Sequence, residues 1–179
     1  GSGGSKSGTG VTTPSGSIPT NWSESRQTGT FETITYTEPS NGTPIARTSG
    51  KPGNYWRMVA TNTSGSNAGR YLFCPLETSP VAGSYHQFGI TLRLSSTTGL
   101  TALEVFLSFG GVANLSPSLI KLGAATPLTS ATLSDSGEMV FVSTPYKMPA
   151  GVSSAQFYIQ IGCATACGFT LDIADPWVA

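Results

Sequence analysis

The sequence predicts an all-β fold: an antiparallel two-sheet β-sandwich, with jelly-roll topology favoured and an immunoglobulin-like sandwich as the alternative. Three observations predict it. Segments rich in β-branched and aromatic residues alternate apolar and polar positions with period two. Clusters of Gly, Pro, Asn and Ser separate them at short intervals. No window carries an apolar stripe of helical period over three turns, and the pattern allows only one short helical turn around Leu115–Leu119. Eight or nine strands need two sheets to bury their inner faces, which favours the jelly roll.

Residues 1–17 are rich in Gly, Ser and Thr and almost free of large apolar groups, so they read as a linker or edge segment. Val11, with Gly8-Thr9-Gly10 before it, would fit a short edge strand. The sandwich itself is expected over 18–179. Its candidate strands are Thr30–Thr37, Tyr55–Thr61, Arg70–Cys74, Gln87–Leu94, Ala102–Phe109, Ser118–Lys121, Glu138–Ser143, Ala155–Ile161 and Gly168–Ile173. Turn punctuation falls at 40–42, 51–53, 63–67, 95–99 and 135–137.

Alternation assigns faces in four strands. Phe88, Ile90, Leu92 and Leu94 share a side opposite Gln87, Thr91 and Arg93. Leu103, Val105, Leu107 and Phe109 point inward and leave Glu104, Phe106 and Ser108 outside. Phe157, Ile159 and Ile161 go in, with Gln156, Tyr158 and Gln160 out. Phe169, Leu171 and Ile173 go in, with Thr170 and Asp172 out.

The 179 residues fit one domain of ordinary size, large enough to bury a core without disulfides. Only 10% are charged, against a usual figure of about 25%. The nine basic and nine acidic residues are scattered singly, so no basic stripe exists to displace counterions from a phosphate backbone. Nucleic acid is therefore not an expected partner. Nor is membrane insertion, since no apolar run approaches a helical span.

Cys163 and Cys167 are separated by Ala-Thr-Ala, a spacing that fits either a small disulfide loop or two free thiols. Cys74, between Phe73 and Pro75, reads as a small buried hydrophobe. A tetrahedral metal site wants four ligands, and His86 is the only histidine. No cofactor is expected. A structural calcium held by carboxylates and loop carbonyls would leave little trace in a sequence, and stays open.

Catalysis is not expected either. A Ser-His-Asp site would have to use His86, yet no Gly-x-Ser-x-Gly elbow is present to hold a nucleophile. A glycosidase needs two carboxylates facing across a cleft. Glu104 and Asp172 are outward and could share a sheet, but read more simply as solvated side chains. Trp22 and Trp177 are each a ligand platform or, more simply, a plug at the end of the sandwich. The sequons at Asn21, Asn41, Asn62 and Asn114 are what chance yields in a chain so rich in Ser and Thr.

The stronger signal is the wet face. A sugar offers C–H groups on one side and hydroxyls around its rim, which an aromatic ring with amides, carboxylates and guanidinium groups can grip. Arg93, Glu104, Phe106, Tyr158 and Gln160 supply that menu. Tyr55 and Arg57 join them if Trp56 and Met58 form the core side of their strand.

The run Ser17-Ile18-Pro19-Thr20-Asn21-Trp22-Ser23-Glu24-Ser25-Arg26, followed by Gly50-Lys51-Pro52-Gly53-Asn54-Tyr55-Trp56-Arg57-Met58, resembles carbohydrate-binding-module-like jelly-roll domains. These are the domains appended to phage tail fibres, tailspikes and bacterial surface esterases. They tend to open on a Gly/Thr-rich segment with a P-x-x-W step and to close on a strand like Phe169-Thr170-Leu171-Asp172-Ile173-Ala174. The resemblance implies a non-catalytic module, extracellular or on a virion surface, that binds a polysaccharide or cell-surface glycan beside a larger partner domain. A structural or oligomerising domain of a tail fibre or tailspike, with a homotrimer implied, is the alternative. A small esterase or lyase comes third.

Overall fold

The computed structural model describes residues 22–31, 33–37, 55–62, 67–76, 80–112, 115–134, 136–164 and 166–179, and the backbone alone of 6–9 and 15–16. Its strands are β1 (Lys6–Thr9), β2 (Ser15–Gly16), β3 (Ser23–Thr28), β4 (Thr33–Thr37), β5 (Trp56–Asn62), β6 (Ala68–Pro75), β7 (Tyr85–His86), β8 (Phe88–Leu94), β9 (Leu100–Gly110), β10 (Ser118–Lys121), β11 (Gly137–Val142), β12 (Tyr146–Lys147), β13 (Ser154–Cys163) and β14 (Cys167–Val178). Among the described residues there is no helix. The short helical turn that the pattern allowed at Leu115–Leu119 is not formed by these residues, because Ser118–Lys121 instead pairs with β9.

Two antiparallel sheets form the predicted sandwich. The larger has seven strands in the order β11-β8-β14-β5-β4-β1-β2, the smaller five in the order β10-β9-β13-β6-β3. The chain steps repeatedly between them, at β3–β4, β5–β6, β8–β9, β10–β11 and β13–β14. This alternation makes most pairings non-local, as in a jelly roll. β7 and β12 form a separate two-stranded ribbon.

Period-two alternation builds one core between the sheets. Trp56, Met58, Ile90, Leu92, Leu171 and Ile173 enter it from the seven-stranded sheet, and Leu72, Val105, Leu107, Phe157 and Ile159 from the five-stranded sheet. The inward assignments made from alternation for β8, β9, β13 and β14 hold, and the outward side chains lie on the outer faces, although Thr91 and Asp172 are buried there. The Cys163–Cys167 disulfide closes the corner where β13 leaves one sheet and β14 enters the other, with the two Cα atoms 5.8 Å apart. Cys74 is buried.

Four strands escaped the sequence pattern, β2, β3, β7 and β12, and β3 is the longest of them. β3 reads Ser-Glu-Ser-Arg-Gln-Thr, without an apolar residue to mark a face, and holds its place on the sheet edge by pairing with β6. Its Glu24 points inward to Arg70 of β6, Nε to Oε2 3.5 Å, and both side chains are sealed from solvent. The Arg70 guanidinium lies 5.8 Å from the centre of the Phe31 ring.

Tyr36 of β4 packs against this ion pair from the opposite sheet and stacks on Trp56. Burial, reinforced by the negative charge of Glu24, pushes its phenol well above the ordinary tyrosine range. The proton is therefore held more tightly in the folded chain than in the unfolded one. The corresponding stability is complete below the unfolded pKa of about 10 and is lost as pH rises above it, by at most about 1.4 kcal/mol per pH unit. Urea midpoints measured between pH 8 and 11 are expected to fall more steeply for the native chain than for Tyr36→Phe, and parallel curves would refute this.

The turns expected at 40–42 and 51–53, Val11, and the sequon residues Asn21, Asn41 and Asn114 lie outside the described residues. Asn62 is fully buried, and its amide donates to the Ala164 carbonyl oxygen at 2.7 Å, which leaves no room for a glycan at that sequon.

Candidate functional site

The residues singled out from the sequence fall on two opposite outer faces. Glu104, Phe106, Tyr158 and Gln160 lie on the five-stranded sheet. Tyr55, Arg57 and Arg93 lie on, or at the edge of, the seven-stranded sheet.

On the five-stranded sheet, cross-strand register sets the arrangement. Tyr158 of β13 is opposite Phe73 of β6 on one side and Phe106 of β9 on the other. Their rings form a stacked row: Phe73 and Tyr158 have centroids 5.0 Å apart and planes 10° apart, and Tyr158 and Phe106 5.2 Å and 22°. Tyr71 meets Tyr158 and Phe106 edge-on at 6.2 and 6.4 Å. The centroid spacing follows the separation of neighbouring strands, roughly 4.8 Å. All four rings are half-buried on the outer face.

Small residues flank this row at both ends. Ser23 of β3 is in register with Phe73, and Ser118 of β10 with Phe106. Tyr158 has a ring on each side, whereas each end ring has a serine in register on its outer side. A second, polar row runs beside the first: Ser25, Tyr71, Gln160, Glu104 and Lys121 are successive cross-strand partners. Glu104 accepts a hydrogen bond from the Ser118 hydroxyl and lies 3.5 Å from Lys121 Nζ. The face thus combines ring surface with a carboxylate, an amide and hydroxyls, all fixed on strands.

The seven-stranded sheet presents different chemistry. Asp172 points outward as expected but is not a solvated side chain, being 1% exposed. Arg57 grips it with Nε on Oδ1 at 2.7 Å and Nη2 on Oδ2 at 2.9 Å, while Arg93 Nε reaches Oδ2 at 2.8 Å. Hydrogen bonding to Asp172 raises the Arg57 pKa further above its ordinary value. The Tyr55 ring lies against both guanidinium groups, 5.3 and 4.6 Å from ring centre to Cζ. Trp56 and Met58 are buried, so Arg57 faces outward as the sequence reading required, yet Tyr55 is itself buried. These groups chiefly satisfy one another. Glu104 and Asp172 occupy different sheets on opposite sides of the core, so they do not face each other across a cleft.

Trp22, Trp177 and the histidine also find their places. Trp22 lies against Trp56 at 4.9 Å and packs on the core. Trp177 does not plug an end. A bulge after Ala174, with Asp175 in the left-handed region at φ 52°, turns Trp177 over Gly89 on the outer face of β8. Any side chain at 89 would collide with its indole. The His86 ring is held at both nitrogens, by the Val81 backbone N–H donating to Nε2 and by Nδ1 against the Ala179 carbonyl oxygen. Among the described residues, no group of three or more His, Cys, Asp or Glu side chains could hold a metal ion.

Tyr71 and Phe73 were missed by the sequence reading. In the run Arg70-Tyr71-Leu72-Phe73-Cys74 apolar residues occupy both faces and the charged one is inside, so polarity pointed no direction. The usable signal was the pair of aromatics at spacing two.

No protein-family model and no curated protein matches this sequence. Solved structures do match its fold. One concerns the promiscuous specificity of carbohydrate-binding modules from the β-sandwich superfamily, with a TM-score of 0.55, 13% identity and 89% of this chain covered. This chain spans 57% of that one. Another is the C-terminal family 22 carbohydrate-binding module of Clostridium thermocellum Xyn10B, with a TM-score of 0.52, 10% identity, and 89% of this chain and 85% of that one covered. This chain therefore has a β-sandwich fold that is shared with carbohydrate-binding modules.

Proposed function

We propose that this chain is a non-catalytic polysaccharide-binding module of a larger protein, secreted or on a virion surface, and that it binds a cell-surface or structural glycan with the outer face of its five-stranded sheet. The observation that carries this reading is the stacked row Phe73, Tyr158 and Phe106 beside Gln160 and Glu104. Three adjacent rings on a solvated sheet are otherwise unfavourable exposure. Apolar C–H faces of pyranose rings would cover them, while the polar row takes hydroxyls.

Because Tyr158 is stacked on both sides, sugar rings pack best on the outer faces of the end rings, beside Ser23 and Ser118. The Tyr158 hydroxyl stands between these two positions. A glycan gripped this way crosses the strands and touches two positions, above β3 and β10, about four strand spacings apart. The fold supports this reading, and the disulfide suits an oxidising, extracellular compartment. An esterase or lyase reading has less to draw on, since His86 is engaged at both ring nitrogens.

A second reading, a structural or oligomerising domain of a tail fibre or tailspike, draws on Val59, Val140 and Val142. These are 38%, 46% and 42% exposed on the outer face of the seven-stranded sheet. One experiment separates the two: binding to an array of bacterial and plant polysaccharides, with light scattering on the same sample. Saturable binding by a monomer is the expected result. A stable trimer that binds no glycan would overturn the module reading in favour of an assembly domain.

A further inference from the structure

We infer that the five-stranded face selects an uncharged glycan, and that Glu104 together with Gln160 reads a pair of adjacent hydroxyls on it. The inference rests on the binding-module reading and narrows its ligand class. Charge on the face carries the first half. Among the described residues of β3, β6, β9, β10 and β13, the charged side chains that alternation places on the outer face beside the rings are Glu104 and Lys121, which pair with each other, while exposed Arg26 of β3 is in register with the inward Arg70. The row therefore offers no net positive charge to a uronate or sulfate, and its one carboxylate would repel either at close range.

Geometry carries the second half. Glu104 and Gln160 are direct cross-strand partners, one residue pair along from Tyr158 and Phe106. One Glu104 oxygen is anchored by the Ser118 hydroxyl, and the other lies near Lys121 at the rim. This fixes the carboxylate in place, and each oxygen retains acceptor capacity beyond that one contact. An ionised carboxylate only accepts, whereas the neighbouring amide both donates and accepts. Adjacent hydroxyls on one sugar can each do either, so this pair of planar groups matches them. Among the described residues, the paired arginines Arg57 and Arg93 are on the opposite face, where an anionic ligand would more readily go.

The test titrates the whole chain with three classes of polymer: neutral xylan, mixed-linked β-glucan and galactan, then polygalacturonate, then carrageenan. Each is measured at low and high salt, and repeated with Glu104→Gln and Arg57→Met. At least one neutral polymer is expected to bind with little salt dependence, weakened roughly ten- to a hundredfold by Glu104→Gln and unchanged in Arg57→Met. Thermal unfolding of each variant separates lost contacts from lost fold. Binding confined to the acidic polymers, steeply salt-dependent and abolished by Arg57→Met, would overturn the inference while leaving a glycan-binding module standing. Neutral binding that survives Glu104→Gln intact would overturn the role given to that carboxylate. No binding to any class would overturn the module reading and this inference with it.

Discussion

Replacing Glu24 with leucine is expected to lower the stability of the sandwich by about 3–5 kcal/mol, an effect on the scale of breaking a buried ion pair from one side. Arg70 is wholly buried in the core between Phe31 and the Tyr36 side of the opposite sheet. Without Glu24 its guanidinium charge stays in a low-dielectric setting without its carboxylate counter-charge. For a chain of this size the midpoint of thermal unfolding should fall by roughly 6–20 °C. The paired change Glu24→Leu with Arg70→Met removes both charges and fills similar volume, and should recover most of the loss. Equal melting of the single variant and the native chain would show that the pair contributes nothing.

The second large effect is on binding. Phe106→Ala removes one end ring of the row and its free face, and should weaken glycan binding by about 1–3 kcal/mol, roughly five- to 150-fold. Phe73→Ala should do the same at the other end. Phe73→Ala also loses one ring–ring contact and Phe106→Ala two, at a stability cost of about 1 kcal/mol per contact, so the variants should stay folded at room temperature. Tyr158→Phe keeps the stack and removes only the hydroxyl, so its loss should be smaller than either. Binding unaffected by both end-ring variants would show that the row is not the platform.

Much of the fold was legible because four central strands alternate cleanly. In β9 and β13, for example, every second residue is a large aliphatic or aromatic group, and the inward set is unmistakable. The candidate site was legible in part. Outward residues could be named strand by strand, but not assigned to a sheet, because pairing in a jelly roll is set by contacts distant in sequence. Arg93 on β8 and Glu104 on β9 are eleven positions apart, and the chain changes sheet between them.

Polarity also misled where burial was unusual. Arg70 and Glu24 face the core, and Tyr71 and Phe73 face outward, which inverts the rule that alternation relies on. Asp172 looked like a wet-face carboxylate until two arginines from neighbouring strands closed over it. No local pattern announces such a triad, since its members lie on β5, β8 and β14.

The central claim is that ligand binds the five-stranded face and not the opposite one. The most direct measurement titrates one bound polysaccharide against three proteins: the native chain, the double variant Phe73→Ala with Phe106→Ala, and Arg57→Met. The double variant is expected to lose binding while retaining a cooperative melt, and Arg57→Met to bind like the native chain. Intact binding by the double variant with loss in Arg57→Met would contradict it and move the site to the seven-stranded sheet.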